Sequence, residues 1–352
     1  MRALAEEAAI TTVVPTFRRP QLLRRAMRSV LGQSYPNFRL CVYDNASGDE
    51  TESVVAHTSG GDPRVTYFRQ PQNVGGIENF LFGMRRVTTP YFSFLSDDDV
   101  LLPNFYETAL AGFASEPRAL MSVASTVEVD AAGLLRYVPL ARWSRDGAYD
   151  PPAGAFAMLD NKHPTWTTIL FRRDAIDAVG ELDAGVGAPA DLDYELRVAA
   201  RFPIVTSFVV CGAYVSHAAS SSTAETAAIV AGYDRIARKI GGDQNIDSAA
   251  RRRLSERLER QGALKLGEVT VKSLVRGDDA AALDAARALA SRPGWRLAGW
   301  SALALHAAVT RAGVLRSLLR WAEARRLRMR AKASDSPAVG ASLGQIAEAL
   351  RL

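Results

Sequence analysis

The sequence predicts an α/β fold, in which a mostly parallel, Rossmann-like sheet with helices on its faces is followed by an α-helical C-terminal appendage. Short β-rich runs alternate with helical patterns between residues 10 and 99, which is typical of such sheets. Beyond Thr226 the chain is rich in Ala, Leu and Arg at helical spacing. We therefore expect one α/β domain over residues 1–222 and a helical region over residues 223–352.

The strands of the first half can be assigned in order. The predicted strands are Ile10–Val14, Phe38–Tyr43, Val65–Phe68 and Tyr91–Leu95. Pro20–Leu31 is a predicted helix, because its apolar residues recur at helical spacing and because proline is accepted in a first helical turn. The chain thus alternates strand and helix, as a parallel sheet requires.

Polar residues follow each of these four strands. They are Thr16, Asp44, Asn73 and the aspartate triplet of residues 97–99. Ligands of open parallel sheets bind in the crevice at the carboxyl ends of the strands. We therefore expect these residues to line a single site.

Composition excludes several classes of protein. The 352 residues are 48% hydrophobic, so the chain can bury a sizeable core, and 43 basic residues stand against only 38 acidic ones. A net charge of +5 implies no nucleic-acid partner by itself. Two cysteines are too few for a disulfide framework, and the N-terminus lacks a signal-peptide pattern. These features predict a cytoplasmic protein.

The aspartate triplet is the first candidate for a metal site. Three adjacent like charges at the end of an apolar strand are unfavourable unless a cation or solvent relieves them. Mg²⁺ or Mn²⁺ prefers carboxylate and phosphate oxygens and would stabilise a diphosphate as a leaving group. A solvated turn that caps a helix is the alternative, and the position at a strand end favours the metal.

Four segments in combination resemble family 2 glycosyltransferases, which have the GT-A fold. They are Val13-Val14-Pro15-Thr16-Phe17, Ser29-Val30-Leu31-Gly32-Gln33-Ser34, Asp44-Asn45-Ala46-Ser47 and Phe94-Leu95-Ser96-Asp97-Asp98-Asp99. The similarity covers roughly residues 9–220 and is especially close to bacterial spore-coat polysaccharide glycosyltransferases. It implies a metal-dependent, inverting transfer of a sugar from a nucleoside diphosphate, such as a UDP- or dTDP-sugar, to an acceptor hydroxyl. Polysaccharide, glycolipid or secondary-metabolite biosynthesis is the implied setting.

The resemblance also implies a role for each residue at the strand ends. The implied nucleotide-binding residues are Pro15, Thr16, Asp44, Asp97 and Asp98, and Asn73 is added to them because of its position after the third strand. Asp44 would accept a hydrogen bond from the nucleobase imide, with a turn-forming aspartate as the alternative. Asp99 would be the metal ligand. For Asn73 an ordinary loop position fits equally well.

The implied general base lies farther along the chain. Residues 190–197 resemble the family's acidic motif at the start of a helix, where Asp191 matches the base and Ala190 replaces a frequent glutamate. Asp193 and Glu195 are interpreted as carboxylates that interact with the helix dipole. His217 would contact the metal or the diphosphate, with an ordinary polar contact as the alternative.

Other classes fit less well. A sugar-1-phosphate nucleotidyltransferase or a dinucleotide-dependent dehydrogenase needs a glycine-rich first loop, whereas Pro15-Thr16-Phe17 follows the first strand here. A degenerate sugar-nucleotide-binding or scaffold protein remains as an alternative, and the presence of Asp99 and Asp191 disfavours it.

The C-terminal helices have two interpretations. Residues 314–332 combine arginines with an apolar side, which is expected to contain Leu315, Leu318, Leu319, Ala322 and Leu327. This side would either lie on the inner face of an anionic membrane or pack on the catalytic domain or on a second subunit.

Overall fold

The computed structural model of the protein describes residues 9–130, 134–161, 163–216, 226–332 and 337–351. These residues form two compact units. The first unit contains the described residues up to 184, from 190 to 216 and from 337 onwards, and the second contains residues 185–189 and 226–332. The domain boundary expected at residue 222 stays a prediction.

Among the described residues, a mixed sheet of ten strands organises the first unit. The strands are β1 Ile10–Thr16, β2 Phe38–Asp44, β3 Val65–Arg69, β4 Tyr91–Phe94, β5 Val100–Leu101, β6 Met121–Asp130, β7 Leu135–Tyr137, β8 Gly147–Tyr149, β9 Ile169–Arg172 and β10 Ile204–Ser216. Their order is β3-β2-β1-β4-β9-β6-β10-β5, with β7 paired to β6 and β8 to β10. The pairs β3-β2, β2-β1, β1-β4 and β6-β10 are parallel, whereas β9 is antiparallel to both its neighbours. The prediction of an α/β fold with a mostly parallel sheet is confirmed.

Helices connect the strands and form the second unit. They are α1 Pro20–Leu31, α2 Thr51–Ser59, α3 Gly76–Met84, α4 Phe105–Ser115, α5 Ala153–Asp160, α6 Asp174–Val179, α7 Ala190–Arg201, α8 Thr226–Gly242, α9 Ser248–Arg276, α10 Asp279–Ser291, α11 Arg296–Arg311, α12 Gly313–Lys332 and α13 Pro337–Arg351. The helix α1 has the predicted bounds, and its proline occupies the first turn as expected. Its buried side, which includes Leu23, Met27 and Val30, belongs to the main core beneath β1 and β2.

A glycine brings α3 onto the sheet. A methyl group at Gly83 would lie 2.4 Å from Val13 Cγ1 and 2.8 Å from Tyr43 Cε2, so only glycine permits this approach. The preceding loop, which ends at Gly75 with a φ of 91°, is thereby held beside the carboxyl ends of β1 and β2.

The last helix, α13, packs in the first unit. Its Ile346 is buried with Val100, Val127 and Val215, which lie on strands of the sheet. Residues 337–351 were predicted to belong to the C-terminal helical region, because periodicity identifies a helix but not the surface on which it packs.

The helices α8 to α12 make up most of the second unit. Asp247 caps α9 by accepting hydrogen bonds from the backbone of Ala249 and Ala250, which satisfies two unpaired N–H groups of the first turn. Gly299 of α11 allows close contact with Ala290 of α10, since a methyl group there would lie 2.2 Å from the Ala290 backbone.

In the part of the chain that the structure describes, no single helix is both long and apolar enough to cross a membrane. The consecutive helices α11 and α12 reach that hydropathy only as a pair, which is bent by 117°.

Candidate nucleotide and catalytic site

The carboxyl ends of three strands meet at one edge of the sheet. The parallel register of β1 and β2 pairs Thr16 with Asp44. The strand β4 pairs with the other side of β1 and leads directly into the aspartate triplet. Thr16 Oγ1 donates a 2.7 Å hydrogen bond to Asp97 Oδ2, which joins the ends of β1 and β4. Pro15 lies buried in β1, one residue before this junction.

Two arginines of the first turns after β1 contact the triplet. The Arg19 guanidinium lies 3.3 Å from Asp97 Oδ1 and 3.0 Å from Asp98 Oδ2. Arg25 donates a 2.6 Å hydrogen bond to the Asp98 carbonyl oxygen. Sequence reasoning missed both residues. Arg19 lies in the loop between β1 and α1, directly before Pro20. This position next to a strand end was the feature of the sequence that could have identified Arg19 as a site residue.

The environment of the triplet disfavours three negative charges. Burial, followed by repulsion from Asp98, raises the pKa of Asp97 to about 6 despite the opposing contacts with Thr16 and Arg19. Burial also raises the pKa of Asp99 well above its usual range, with Asp98 as the next cause. A divalent cation would stabilise the ionised forms, because an adjacent opposite charge lowers a carboxyl pKa.

Asp99 is held from two directions. Its Oδ2 accepts a 2.6 Å hydrogen bond from Thr167 Oγ1, and its Oδ1 accepts a 3.0 Å bond from the Val215 backbone N–H of β10. Each carboxylate oxygen can accept more than one partner, so this arrangement orients the group without exhausting its ligand capacity. The carboxylate donor set and the raised pKa values fit a hard divalent cation such as Mn²⁺ or Mg²⁺.

Asp44 organises the turn that follows β2. Its Oδ1 accepts hydrogen bonds from the Ser47 backbone N–H at 3.0 Å and from Ser47 Oγ at 2.5 Å. Its Oδ2 accepts a 2.7 Å bond from the Tyr67 hydroxyl of β3, a partner that sequence analysis did not identify. The turn-forming interpretation therefore has direct structural support, and the nucleobase contact stays a prediction.

Asn73 ties the loop before α3 to the end of β2. Its Oδ1 accepts hydrogen bonds from Asn45 Nδ2 at 3.0 Å and from the Gly75 backbone N–H at 2.9 Å. In return, Asn45 Oδ1 accepts a 2.8 Å bond from the Val74 backbone N–H. Asn73 itself is exposed at the site's edge, so its nucleotide contact also stays a prediction.

Asp191 begins α7 and belongs to a separate cluster of side chains. The cluster consists of His163, Asp191 and Glu195. One ring nitrogen of the histidine and one carboxylate oxygen of each acidic residue lie within 4.8 Å of one another, so they could bind a metal ion or a proton. Asp191 is half-buried and accepts a 2.7 Å hydrogen bond from the Leu192 backbone N–H through Oδ1. Glu195, one turn later on α7, is fully buried.

The interpretation of Glu195 as a helix-dipole carboxylate is wrong. Burial raises the pKa of Glu195 to about 8, and the Asp191 charge contributes in the same direction while His163 opposes it. His163 Nδ1 lies 3.5 Å from Glu195 Oε2 and 2.8 Å from the Pro164 carbonyl oxygen. A carbonyl only accepts, so Nδ1 carries a hydrogen. Asp193 lies in the first turn of α7 but is also buried, and it pairs with Arg197 at 3.0 Å.

Trp166 and Thr167 share a short 3₁₀ turn beside the triplet. The Trp166 ring packs on Phe80 and Phe94 with centroid distances of 4.5 and 5.1 Å, and it stays partly exposed. This turn places Thr167 against Asp99. The predicted ligand His217 lies outside the described residues.

Comparison with known proteins identifies the family of the domain that carries the site. Residues 11–180, which carry β1 to β4, the triplet and the Trp166–Thr168 turn, match the family model for Glycosyl transferase family 2. These residues form a family 2 glycosyltransferase domain. The resemblance expected from the four sequence segments is confirmed.

Related proteins match part of the chain. The chain is 33% identical over 102 residues to the GalNAc(5)-diNAcBac-PP-undecaprenol beta-1,3-glucosyltransferase of Campylobacter jejuni, which is 29% of this chain and 33% of that protein. It is 30% identical over 98 residues to an uncharacterized glycosyltransferase of Rickettsia typhi, 28% of this chain and 30% of that protein. The chain thus matches about a third of the length of these relatives.

Solved structures resemble the chain over nearly its full length. The structure of S. aureus TarS 1-349 in complex with UDP-GlcNAc gives a TM-score of 0.64 at 15% identity, covering 94% of this chain and 92% of that one. The mannosyltransferase PcManGT from Pyrobaculum calidifontis, in complex with GDP-Man and Mn²⁺, gives 0.55 at 15% identity, covering 94% and 86%. At this identity the likeness concerns the fold, and it agrees with the predicted GT-A architecture.

Proposed function

We propose that this protein is a metal-dependent, inverting glycosyltransferase, which transfers a sugar from a nucleoside diphosphate sugar to an acceptor hydroxyl, with its first unit as the catalytic domain. The observation that carries the proposal is the buried Asp99, held by Thr167 and β10 at the end of β4 in a family 2 glycosyltransferase domain. An acidic cluster of this kind is unfavourable in isolation and suits a cation that binds a diphosphate.

The donor would bind along the edge where β1, β2 and β4 end. Pro15, Thr16 and Asp44 would contact the nucleoside, while Asp97 and Asp98 would lie near the ribose. We favour a UDP-sugar over a dTDP-sugar, because the TarS structures that share the fold contain UDP-GlcNAc and UDP. Arg19 pairs with Asp97 and Asp98 at this edge and would supply a positive charge near the donor.

The metal would be held by Asp99, with His217 as a second candidate ligand. When bound, such a cation neutralises the diphosphate and makes it a better leaving group. The PcManGT structure, which shares the fold, contains Mn²⁺. On this chain, Thr167 and the Val215 N–H keep the Asp99 carboxylate oriented before the donor arrives.

Asp191 would act as the general base. Its carboxylate would take the proton from the acceptor hydroxyl while that oxygen attacks the anomeric carbon from the face opposite the diphosphate. The bond between the anomeric carbon and the diphosphate oxygen breaks in the same displacement, so the configuration inverts. Neighbouring Glu195, with its raised pKa, would hold a proton at neutral pH.

The acceptor is proposed to be a growing polysaccharide or a lipid-linked sugar. The printed name of the Campylobacter jejuni relative describes a glucosyltransferase acting on an undecaprenol-linked glycan. That relative aligns with 29% of this chain.

Two isosteric variants and one matched control test the function. Asp99→Asn should lose Mn²⁺-dependent affinity for UDP in calorimetry, because the amide cannot supply a negatively charged ligand. Asp191→Asn should keep that affinity and lose sugar transfer by roughly a hundredfold or more. Asp177→Asn, on the exposed face of α6, should match the wild type in both assays.

Two results would contradict the assignment. Equal Mn²⁺-dependent affinity in wild type and Asp99→Asn would remove the metal role of Asp99. A product with retained anomeric configuration by NMR, or near-normal transfer by Asp191→Asn, would remove the inverting mechanism or its base.

A further inference from the structure

The helices α11 and α12 expose an apolar surface that is unusual for this chain. Five of the twelve large hydrophobic side chains that are exposed among the described residues lie on these two helices. They are Leu297, Trp300, Val314, Leu318 and Trp321, with Leu297 85% and Val314 71% exposed. Contiguous exposed apolar residues of this size mark interaction surfaces more often than isolated ones do.

The exposed residues form one stripe on each helix. On α11, Leu297, Trp300, Ala304 and Ala308 recur every three or four residues and end at the exposed Arg311. On α12, Val314, Leu318 and Trp321 repeat the spacing and end at the exposed Arg325. Such spacing places residues on one side of a helix, so each helix presents a continuous apolar strip.

Neither stripe is the side that packs within the second unit. The inner sides contribute Val309, Leu305, Leu315 and Leu319 to a cluster around Leu274. The apolar side predicted from sequence is therefore divided, because Leu315 and Leu319 face the core whereas Leu318 is 58% exposed. The helices already have a packed side, and the outer stripes are additional.

The charge of this segment identifies the partner. Residues 296–332 contain nine basic residues and a single acidic one, Glu323, which gives a net charge of +8. The whole chain carries only +5, so the remaining residues are net negative. The Arg325 guanidinium lies 5.6 Å from the Trp321 ring centroid, a cation–π arrangement that places a charge beside an exposed ring.

We propose that α11 and α12 dock this protein on an anionic phospholipid surface, with the two apolar stripes entering the headgroup region and the exposed Arg296, Arg311 and Arg325 contacting lipid phosphates. Tryptophan is favoured at that depth, and arginine is attracted to anionic headgroups. A symmetric pair of chains would bring two strongly basic surfaces together. A nucleic acid would satisfy the arginines but would leave the leucine and valine side chains in water.

The geometry favours lying on the membrane over crossing it. The 16 residues of α11 span about 24 Å at 1.5 Å per residue, which is less than the roughly 30 Å of a hydrocarbon core. The chain bends by 117° after α11, so α12 does not continue along the α11 axis. This proposal does not depend on the reaction that the first unit performs.

Vesicle co-sedimentation with the full-length chain tests the proposal. The wild type should pellet with vesicles that contain phosphatidylglycerol and should bind phosphatidylcholine vesicles much more weakly. Trp300→Ser/Trp321→Ser should weaken partitioning about tenfold or more, because two anchoring rings lose apolar burial. Arg296→Glu/Arg311→Glu should remove most of the preference for anionic lipid.

Two controls separate this surface from general effects. Arg252→Glu/Arg260→Glu makes the same charge change on exposed positions of α9 and should retain most of the binding. Leu134→Ser removes an exposed apolar residue of the first unit, 61% exposed, and should retain all of it. Circular dichroism should show equal helix content for all variants, since every altered side chain is exposed.

Three results would overturn the proposal. The first is wild-type protein that stays in the supernatant with anionic vesicles. The second is a dimer in light scattering that dissociates in Trp300→Ser/Trp321→Ser while vesicle binding is absent, which would make a second copy the occupant. The third is vesicle binding that the tryptophan variant retains and duplex DNA displaces, which would leave only nonspecific attraction of the arginines.

Discussion

Replacing Glu195 by glutamine tests the buried cluster beside Asp191. Glu195 is fully buried, and its pKa is raised from 4.5 to about 8, mainly by burial. Below pH 4.5 the carboxyl is protonated in both folded and unfolded chains, so it has no effect on stability. Between pH 4.5 and about 8 the unfolded chain ionises while the folded chain keeps its proton, so the folded state loses stability as the pH rises. Above about pH 8 both states are ionised and the loss is complete.

The size of this effect follows from the pKa difference. At about 1.36 kcal/mol per pH unit, the move from 4.5 to about 8 corresponds to a total of about 5 kcal/mol, of which about 3 kcal/mol is present at pH 7. Glutamine has nearly the same shape and does not ionise. The free energy of unfolding of Glu195→Gln should therefore exceed that of wild type by an amount that grows by about 2–3 kcal/mol from pH 5 to pH 7.

Urea unfolding of both proteins at pH 5, 6, 7, 8 and 9, followed by near-ultraviolet circular dichroism, measures this difference. The groups that face Glu195 are His163 and Asp191, and both are retained in the variant. Glu107→Gln, at an exposed position of α4, is the matched control and should show no such trend. A difference between Glu195→Gln and wild type that stays constant from pH 5 to pH 8 would refute the reasoning, because Glu195 would then ionise like an exposed carboxyl.

Two further substitutions address packing and the triplet. Thr167→Val removes the hydroxyl that donates to the buried Asp99 carboxylate and should reduce the free energy of unfolding by about 1–3 kcal/mol at neutral pH, measured by urea unfolding. An unchanged midpoint would show that the bond contributes nothing. Gly83→Ala places a methyl group 2.4 Å from Val13 Cγ1 and should cost about 1–3 kcal/mol, whereas Gly76→Ala, with open space around it, should not destabilise. Equal thermal midpoints for the two alanine variants would contradict the packing argument.

Local sequence patterns determined much of the first unit. The bounds of α1 follow from its periodicity and from Pro20, and the four early strands lie within two residues of their predicted ends. The convergence of Thr16, Asp44 and the triplet also followed from sequence, because parallel strands present their carboxyl ends at one edge. The alternation of strand and helix depends on residues that are close together in the chain, so it can be predicted from the sequence alone.

Only the tertiary structure decided which partners these residues meet. Three residues that belong to no sequence motif contact the candidate site: Arg19, Tyr67 and Thr167. Thr167 lies 68 positions from Asp99, its hydrogen-bond partner. From sequence, Glu195 was expected to be an ordinary carboxylate near a helix start. In the structure it is buried, and burial raises its pKa. These properties depend on which surfaces face each other across long sequence distances.

The same distinction applies to the C-terminal helices. Their sequence determined that they are helical, apolar on part of their surface and strongly basic. The structure decided that Leu315 and Leu319 pack inward while Leu318 and Trp321 face outward, and that Ile346 of the last helix belongs to the first unit. Helical periodicity groups side chains by direction around an axis, but the direction that faces a core is chosen only when other helices and strands supply the surface that buries it.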